Sequence, residues 1–208
     1  MAKIDVIAWD FDGVLNKNVV DNHFIWLDQM EAEKGYCPRS FMEQVISDFA
    51  PVMAGQVCLY ERLTPWLEQV GHEGDAEEFA NYWFNLDRYP DPIMHEVLEK
   101  TASAGVVNVM ATNNEARRGR FVWHDMGFDQ RMDKLYAAGE MKKIKPHAEF
   151  FHHIADDLKV DPSRVLMVDD LPENIKSARA LGMHGHLFVR DQYDSLKSVL
   201  SDLVESSF

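Results

Sequence analysis

The feature that most constrains this chain is a short, mostly apolar run, residues 4–9, that leads directly into two carboxylates, Asp10 and Asp12. A run of this length is typical of a buried strand. A second apolar run, Val165–Val168, leads into the acidic pair at 169–170. In open α/β sheets, ligands bind at the carboxyl ends of the strands. The sequence therefore predicts one acidic site, suited to a hard cation, where two strands of the same sheet end.

Apolar strand-like runs alternate with helical segments from about residue 93 to the end of the chain. Strands separated by helices of ten or more residues imply a parallel sheet with right-handed crossovers. Residues 1–15 and 93–208 therefore predict an α/β catalytic core built on a Rossmann-like parallel sheet. After the first strand, the predicted strands are Val106–Ala111, Leu135–Ala138, Val165–Val168 and Gly185–Val189, and the predicted helices are Pro92–Ala104, Glu115–Met126, one from Pro146, Pro172–Leu181 and one after Asp191.

Residues 16–92 have a different pattern, in which helices follow one another and nothing alternates as a strand would. The simplest arrangement is a helical domain inserted above the sheet. Its aromatic side chains would suit stacking on sugar rings, although we expect about two thirds of them in its own core. The predicted helices are Asn22–Lys34, Ser40–Gly55, Leu63–Val70 and Ala76–Leu86, and the aromatic residues are Trp26, Tyr60, Trp66, Tyr82, Trp83, Phe84 and Tyr89.

The composition excludes several classes of partner and location. A formal net charge of −14 disfavours nucleic acid and anionic membrane surfaces, because the field of the protein repels both. No run of eighteen apolar residues is present, and the N-terminus does not resemble a signal peptide. Cys37 and Cys58 are expected to be free thiols in a reducing, cytoplasmic environment. The oligomeric state is left open.

Polar residues follow two further predicted strands: Thr112 and Asn113 after one, and Lys145 some residues after the next. Each of these positions alone would be an ordinary turn or helix cap. Four polar clusters at the same edge of one sheet indicate a binding site instead. Lys145 would also supply local positive charge, which an anionic substrate needs in so acidic a chain.

The order and spacing of these clusters resemble the four motifs of the haloacid dehalogenase superfamily. The insertion after the first motif resembles the C1-type cap of its phosphatases, dehalogenases and phosphoglucomutases. Two departures, His147 where an acidic residue is usual and Lys142 where glycine is frequent, put the substrate in doubt more than the reaction. The motifs are Asp10-Phe11-Asp12-Gly13-Val14-Leu15, Met110-Ala111-Thr112-Asn113, Lys145-Pro146 with Glu140 upstream, and Val168-Asp169-Asp170-Leu171-Pro172-Glu173-Asn174.

The crowded carboxylates need a cation among them. Two unit charges about 4 Å apart repel by roughly 4 kcal/mol at an effective dielectric constant of about 20. An all-oxygen ligand set without a histidine or cysteine cluster favours Mg²⁺ over Zn²⁺. The resemblance implies the ligands: Asp10, the backbone carbonyl of Asp12 and Asp170 directly, and Asp169 through water. Asn174 would orient these groups.

The reaction expected from the resemblance is hydrolysis of a small phosphate monoester, most plausibly a sugar phosphate. Asp10 would attack phosphorus and form an aspartyl-phosphate. Asp12 would protonate the leaving oxygen and later take a proton from water; it must first be protonated, and its acidic neighbours should raise its pKa. The Thr112 hydroxyl, the Asn113 backbone amide and Lys145 would hold the phosphate oxygens.

Three alternatives stay open at this point. A phosphoglucomutase-type enzyme would use the same four motifs and differ in how its cap admits water. A haloacid dehalogenase is disfavoured, because the dehalogenases of this superfamily lack an acid two residues after the nucleophile, where this chain has Asp12. A non-catalytic binding module would have no reason to keep mutually repelling charges.

Overall fold

The computed structural model describes residues 3–21 and 23–204, and a five-stranded sheet runs through its centre. The strands are β1 (Val6–Trp9), β2 (Val19–Val20), β3 (His23–Phe24), β4 (Val107–Thr112), β5 (Lys134–Ala137), β6 (Val165–Asp169) and β7 (His184–Leu187). The sheet has the order β5–β4–β1–β6–β7, and every neighbouring pair is parallel. The predicted α/β class and Rossmann-like parallel sheet are therefore confirmed.

Both faces of the sheet are covered, which explains why its central strands are apolar without a polar face. Side chains alternate between the two faces along a strand. In β1, Ile7 and Trp9 belong to one hydrophobic cluster, whereas Val6 and Ala8 belong to the other. All four side chains are buried.

Helices on each side complete these two clusters. The helices are α1 (Trp26–Lys34), α2 (Pro38–Phe41), α3 (Ala50–Met53), α4 (Leu59–Gln69), α5 (Ala76–Leu86), α6 (Pro92–Ser103), α7 (Ala116–Arg120), α8 (Ala138–Met141), α9 (Ala148–Leu158), α10 (Pro172–Ala180) and α11 (Tyr193–Leu203). Side chains of α6 and α11 pack on the face of Trp9, and those of α9 and α10 pack on the face of Ala8.

In the described part of the chain, no helix is long and apolar enough to cross a membrane.

The helix boundaries follow from local chemistry that the sequence shows. Proline is the first residue of both α6 and α10, a position where its missing N–H costs nothing. The side chain of Asp91 accepts a hydrogen bond from the backbone N–H of Ile93 at 2.9 Å and caps α6. Gly182, with φ of +89°, follows the end of α10.

Residues between β1 and α6 have a hydrophobic cluster of their own, and we propose that residues 16–92 form a cap on the core. The ring of Phe41 meets those of Trp66 and Trp83 edge-on, with centroids 4.9 and 5.3 Å apart. Such aromatic pairs add to the stability gained from burial alone. The cluster is self-contained except for a few contacts such as that with Phe121 of the core.

Two predictions for this region are wrong. The predicted helix Ser40–Gly55 is broken into α2, a π-helical turn at Met42–Ile46 and α3. Residues before α1 form a small antiparallel hairpin of β2 and β3, which was not predicted because two-residue strands are too short to show alternation. The predicted start of the first cap helix, Asn22, lies outside the described residues.

In the core, the predicted helix Glu115–Met126 is α7 followed by a π-helical turn at Phe121–Asp125.

Candidate active site

The predicted acidic residues meet at one edge of the sheet. Asp10 follows β1, and Asp169 is the last residue of β6, which lies next to β1. One carboxylate oxygen from each of Asp10, Asp169 and Asp170 lies within 4.8 Å of the others. Parallel strands place their carboxyl ends together, so the topology itself brings these side chains into one cluster.

Lys145 reaches this cluster from the loop after α8. Its ammonium lies 2.9 Å from Oδ1 of Asp10 and 2.6 Å from Oδ2 of Asp169, and its side chain is 1% exposed. The side-chain amide of Asn113 fixes the loop, because it donates to the Lys145 carbonyl at 3.0 Å and accepts from the Lys145 N–H at 2.8 Å. The phosphate-binding role expected of the Asn113 backbone amide stays a prediction.

Gly13 makes room for Asp170. Its φ is +79°, a conformation that disfavours other residues. A Cβ at this position would lie 2.2 Å from Oδ2 of Asp170 and 2.7 Å from its Cγ. The glycine of the first motif therefore allows the carboxylate of the fourth motif to approach Asp10.

Asp169 is fully occupied by donors. Besides Lys145, it accepts from the Leu171 N–H and from Nδ2 of Asn174, both at 2.9 Å on Oδ1. Asn174 therefore holds one oxygen of Asp169, and its role in orienting metal ligands stays a prediction. Because both oxygens of Asp169 already accept hydrogen bonds, the arrangement suits contact with a cation through water rather than directly.

The cluster has the electrostatics of a cation site. Burial, together with the charge of Asp169, raises the pKa of Asp170 to about 6. Burial also raises the pKa of Asp10 well above its usual range, although Lys145 opposes the shift. Three carboxylates share the site with one ammonium group, which leaves two negative charges in excess. An oxygen-only set with this charge fits Mg²⁺.

An unpaired acceptor supports the same fit. Oδ1 of Asn174 is buried and has no hydrogen-bond partner among the described residues. Asn174 lines the cavity into which the cluster opens, so this oxygen could accept from a water of a hydrated cation. The cavity, named the catalytic cavity below, has a volume of about 310 Å³. It is lined by Asp10, Asp12, Thr112, Asn113, Lys145, Asp170 and Asn174, together with Val19, Phe24, Met53 and Leu171.

Thr112 is placed where a phosphate-binding hydroxyl is expected. It is the last residue of β4, the neighbour of β1, and is 1% exposed. Its Oγ1 accepts a hydrogen bond from Nδ2 of Asn114 at 2.7 Å. A hydroxyl that accepts from one side can donate its own hydrogen elsewhere, and Thr112 lines the catalytic cavity.

Asp12 is paired with a residue that the sequence analysis missed. Nη1 and Nη2 of Arg118 donate to Oδ2 and Oδ1 of Asp12 at 2.6 and 2.8 Å. Burial alone would raise the pKa of Asp12, but the charge and hydrogen bonds of Arg118 hold it below its usual range. The prediction that neighbouring carboxylates raise this pKa is therefore wrong, because the guanidinium of Arg118 binds Asp12 directly and favours its ionised form.

The same arginine connects the core to the cap. Its Nη2 also donates to Oδ2 of Asp87, at the end of α5, at 2.5 Å. Nδ2 of Asn18 donates to both Asp12 and Asp87 at 2.8 Å. Burial raises the pKa of Asp87 to about 7, although the charge of Arg118 opposes the shift. Asn18 therefore contacts Asp12 directly, whereas Asp87 is linked to Asp12 through Arg118 and Asn18.

No local pattern in the sequence identifies Arg118 as the partner of Asp12 and Asp87. Arg118 is separated from Asp12 by 106 residues and from Asp87 by 31. The available signal was an arginine in the first turn of the helix that follows the Thr112-Asn113 motif, since that helix must begin at the same edge of the sheet.

Comparisons with known proteins agree with this geometry. The chain is 26% identical over 183 residues to N-acetylmuramic acid 6-phosphate phosphatase from Pseudomonas aeruginosa, covering 86% of this chain and 79% of that protein. It is 28% identical over 102 residues to a sesquiterpene phosphatase from Aspergillus oryzae, covering 46% of this chain and 49% of that protein.

A solved structure shows the same fold. A haloacid dehalogenase family enzyme from Bacteroides thetaiotaomicron, in complex with magnesium and inorganic phosphate, superimposes with a TM-score of 0.72 at 18% identity, covering 91% of this chain and 96% of that one. The family model for haloacid dehalogenase-like hydrolases matches residues 4–182. With four motifs in order and their side chains at one sheet edge, the chain belongs to the haloacid dehalogenase-like hydrolases.

Proposed function

We propose that this chain is a Mg²⁺-dependent phosphatase that hydrolyses a small phosphate monoester through an aspartyl-phosphate on Asp10. The observation that carries the proposal is the contact of buried Lys145 with both Asp10 and Asp169, beside the carboxylate of Asp170. This set combines a nucleophile, a fixed positive charge and an oxygen-rich cation site. Phosphoryl transfer requires mainly positioning and charge stabilisation, which these groups supply.

Mg²⁺ would be held by Asp10, the backbone carbonyl of Asp12 and Asp170, with Asp169 acting through water. When bound, the cation would offset negative charge on the phosphate oxygens. It would also offset the two excess negative charges of the carboxylate cluster.

In the first step, a carboxylate oxygen of Asp10 attacks phosphorus and the bond to the alcohol oxygen breaks. The electron pair of that bond goes to the leaving oxygen, which takes a proton from Asp12. The Thr112 hydroxyl, the Asn113 N–H and the Lys145 ammonium hold the other phosphate oxygens. In the second step, water attacks phosphorus and gives one proton to Asp12, and the bond between phosphorus and the Asp10 oxygen breaks. Inorganic phosphate leaves, Asp10 is again a carboxylate and Asp12 is again protonated.

Arg118 favours the ionised form of Asp12, which is the form needed to accept a proton from water. The first step needs the protonated form. The negative charge of an arriving phosphate raises the pKa of a neighbouring carboxyl, and so favours protonation when substrate is bound. One residue can therefore serve as the acid and then as the base.

The relatives constrain the alcohol part of the substrate less than they constrain the phosphate part. The Pseudomonas enzyme named above acts on a sugar-acid phosphate, which supports the sugar phosphate predicted from the sequence. The Aspergillus enzyme acts on a sesquiterpene phosphate, which is a very different alcohol. The proposed substrate is therefore a small phosphorylated metabolite. The proposed location is the cytoplasm, which we infer from the free thiols Cys37 and Cys58.

The test is hydrolysis of p-nitrophenyl phosphate with Mg²⁺, with EDTA and by the variant Asp10→Asn. We expect EDTA to abolish turnover and Asp10→Asn to lower kcat by about 10³-fold or more, since the nucleophile is lost. The exposed Asp28 provides a control, because Asp28→Asn makes the same chemical change on the cap surface. Wild-type activity in EDTA or in Asp10→Asn would contradict the proposal.

The mutase alternative is separated by its product. Incubation with a sugar 1-phosphate and a bisphosphate activator should release inorganic phosphate from a phosphatase. An isomeric sugar phosphate without phosphate release would instead identify a phosphoglucomutase-type transfer.

A further inference from the structure

A second cavity opens beside the catalytic cavity and has a volume of about 320 Å³. We name it the cap cavity. Asp12, Asn113, Phe24 and Met53 line both cavities, so the two adjoin at these residues. Because Asp12 lies at the junction and protonates the leaving oxygen in the proposed reaction, the alcohol of the substrate would extend into the cap cavity.

The apolar part of the cap cavity's wall comes from the cap, and the polar part comes mostly from the core. Apolar walls gain most from contact with an apolar ligand, since both surfaces leave water together. Five aromatic residues contribute to the lining, and aromatic rings favour offset or edge-on contact with another flat ring. The apolar lining residues, besides two tryptophans, are Phe24, Ile46, Phe49, Met53, Leu59 and Phe84.

The polar side chains that line the cap cavity already have partners within the protein. Arg118 binds Asp12 and Asp87, as described above, and also donates to Oδ1 of Asn114. Oε1 of Glu115 accepts from the Arg118 backbone N–H at 2.6 Å. A polyol buried here would have to compete with these contacts or leave hydroxyl groups without partners, which is unfavourable.

Two donors in this region have no partner. Nε1 of Trp26 and Nε1 of Trp83 are buried and make no hydrogen bond to the described residues. Both tryptophans line the cap cavity, and their rings lie 5.3 Å apart. Because neither nitrogen is accessible, the two tryptophans offer a ligand in the cap cavity ring surface rather than a hydrogen-bond donor.

We propose, on the basis of the proposed phosphatase function but in place of the sugar phosphate predicted from the sequence, that the substrate is the phosphate monoester of a largely apolar alcohol that carries a flat ring system about the size of a naphthyl group. The cavity volume of about 320 Å³ is near the lower limit of about 300 Å³ for ligand pockets, so it admits a compact ring system of this order. The cap cavity selects this alcohol through its aromatic wall, and the sheet edge holds the phosphate.

The first experiment compares three primary alkyl phosphates with the wild-type enzyme and Mg²⁺: 2-(1-naphthyl)ethyl phosphate, glucose 6-phosphate and glycerol 3-phosphate. We expect kcat/KM for the naphthyl ester to exceed that for glucose 6-phosphate by about 100-fold, because several hydroxyls would lose their partners. A ratio of tenfold or more supports the proposal. A smaller ratio, or a preference for glucose 6-phosphate, overturns it.

The second experiment changes the wall. Phe49 is only partly buried, so Phe49→Ser should be tolerated by the fold. We expect it to lower kcat/KM for the naphthyl ester at least tenfold more than that for glycerol 3-phosphate, mainly through KM. Tyr82 is an aromatic residue of the cap outside the lining, and Tyr82→Ser should leave that ratio unchanged. Equal effects of the two variants would overturn the proposal.

Binding to the Asp10→Asn variant separates this inference from the proposed function. Calorimetry should show 2-(1-naphthyl)ethyl phosphate binding at least tenfold more tightly than glucose 6-phosphate. That result with no hydrolysis of any ester by the wild type would refute the phosphatase and uphold the cavity assignment. Hydrolysis of p-nitrophenyl phosphate without any preference for the naphthyl ester in turnover or binding would refute only the cavity assignment.

Discussion

The two sides of the active site are built from opposite chemistry. The core side presents charged groups at strand ends, with Lys145 held between Asp10 and Asp169. The cap side presents aromatic and aliphatic side chains supported by the separate cluster around Phe41 and Trp66. The core side contains every group that the proposed reaction needs, and the cap side contains mainly surface for the alcohol.

This difference teaches how one reaction can be combined with many substrates. The carboxylates are positioned by the sheet, so they stay in place when the cap changes. The cap cluster is stabilised within itself, so its cavity wall can change without disturbing the sheet. Arg118 crosses this division, because it binds the core through Asp12 and the cap boundary through Asp87.

The sharpest way to break the comparison is to disturb the core side alone. In Gly13→Ala, the new methyl group would collide with Asp170, because a Cβ at residue 13 would lie 2.2 Å from Oδ2 of that carboxylate. Displacing one catalytic group by about 1 Å can cost about 100-fold in rate. We expect kcat to fall at least that much for every phosphate ester, with a higher Mg²⁺ concentration for half-maximal activity.

Gly105→Ala is the matched control for this variant. Gly105 has the same φ of +79°, and a Cβ there would meet nothing within 4 Å. The two variants share the backbone cost of about 1–2 kcal/mol, which thermal unfolding measures. If Gly13→Ala and Gly105→Ala had the same kcat at saturating Mg²⁺, the close approach of the Asp170 carboxylate to residue 13 would not be needed for catalysis.

A smaller effect is expected from the residue shared by both sides. Arg118→Lys keeps the positive charge but loses the planar fork that reaches Asp12 and Asp87 together. We expect kcat to fall about tenfold to 100-fold, because the acid–base residue is less well positioned. Asp87→Asn is the companion variant, since it keeps the contact between Arg118 and Asp12 and should lower kcat less. Steady-state kinetics on p-nitrophenyl phosphate measures both, and equal losses would mean that Arg118 acts chiefly by holding the cap.

Most residues of the core side could be predicted from the sequence, because their positions at or after the ends of predicted strands are visible in it. Asp10, Thr112 and Asp169 each follow or end an apolar strand, and a parallel sheet must bring such positions together. The alternation of strands with long helices was enough to predict that sheet. Lys145 was found by its spacing within the motifs, although its loop has no pattern of its own.

The rest could not be predicted because it depends on distant pairing. The partners of Arg118 lie far away along the chain, and the pKa of Asp12 follows from that pairing rather than from its acidic neighbours. In the cap, the aromatic residues were visible, but not which of them line a cavity. Trp26 and Trp83 belong both to the cap cluster and to the cavity wall, so burial alone does not separate the two roles.

The smallest effect on catalysis should come from the contact that docks the cap on the core. Gly55, after α3, has φ of +64°, and a Cβ there would lie 2.6 Å from the carbonyl oxygen of Gly139 and 2.5 Å from Nζ of Lys142. Gly71→Ala is the matched control in the cap, with φ of +66° and nothing within 4 Å. Both variants carry the free-energy cost of a non-glycine residue at positive φ, but only Gly55→Ala must also shift the cap loop.

We therefore expect the free energy of unfolding of Gly55→Ala to fall about 1–3 kcal/mol further than that of Gly71→Ala, as overpacked contacts usually cost. Its kcat on p-nitrophenyl phosphate should stay within about threefold of the wild type, since no group of the sheet edge moves. Its KM for a bulky ester should rise, because the wall that includes Met53 lies next to the shifted loop. Denaturant unfolding and two-substrate kinetics measure these quantities. A large loss of kcat on the small substrate would show that the core side depends on the cap, and the division of roles would then fail.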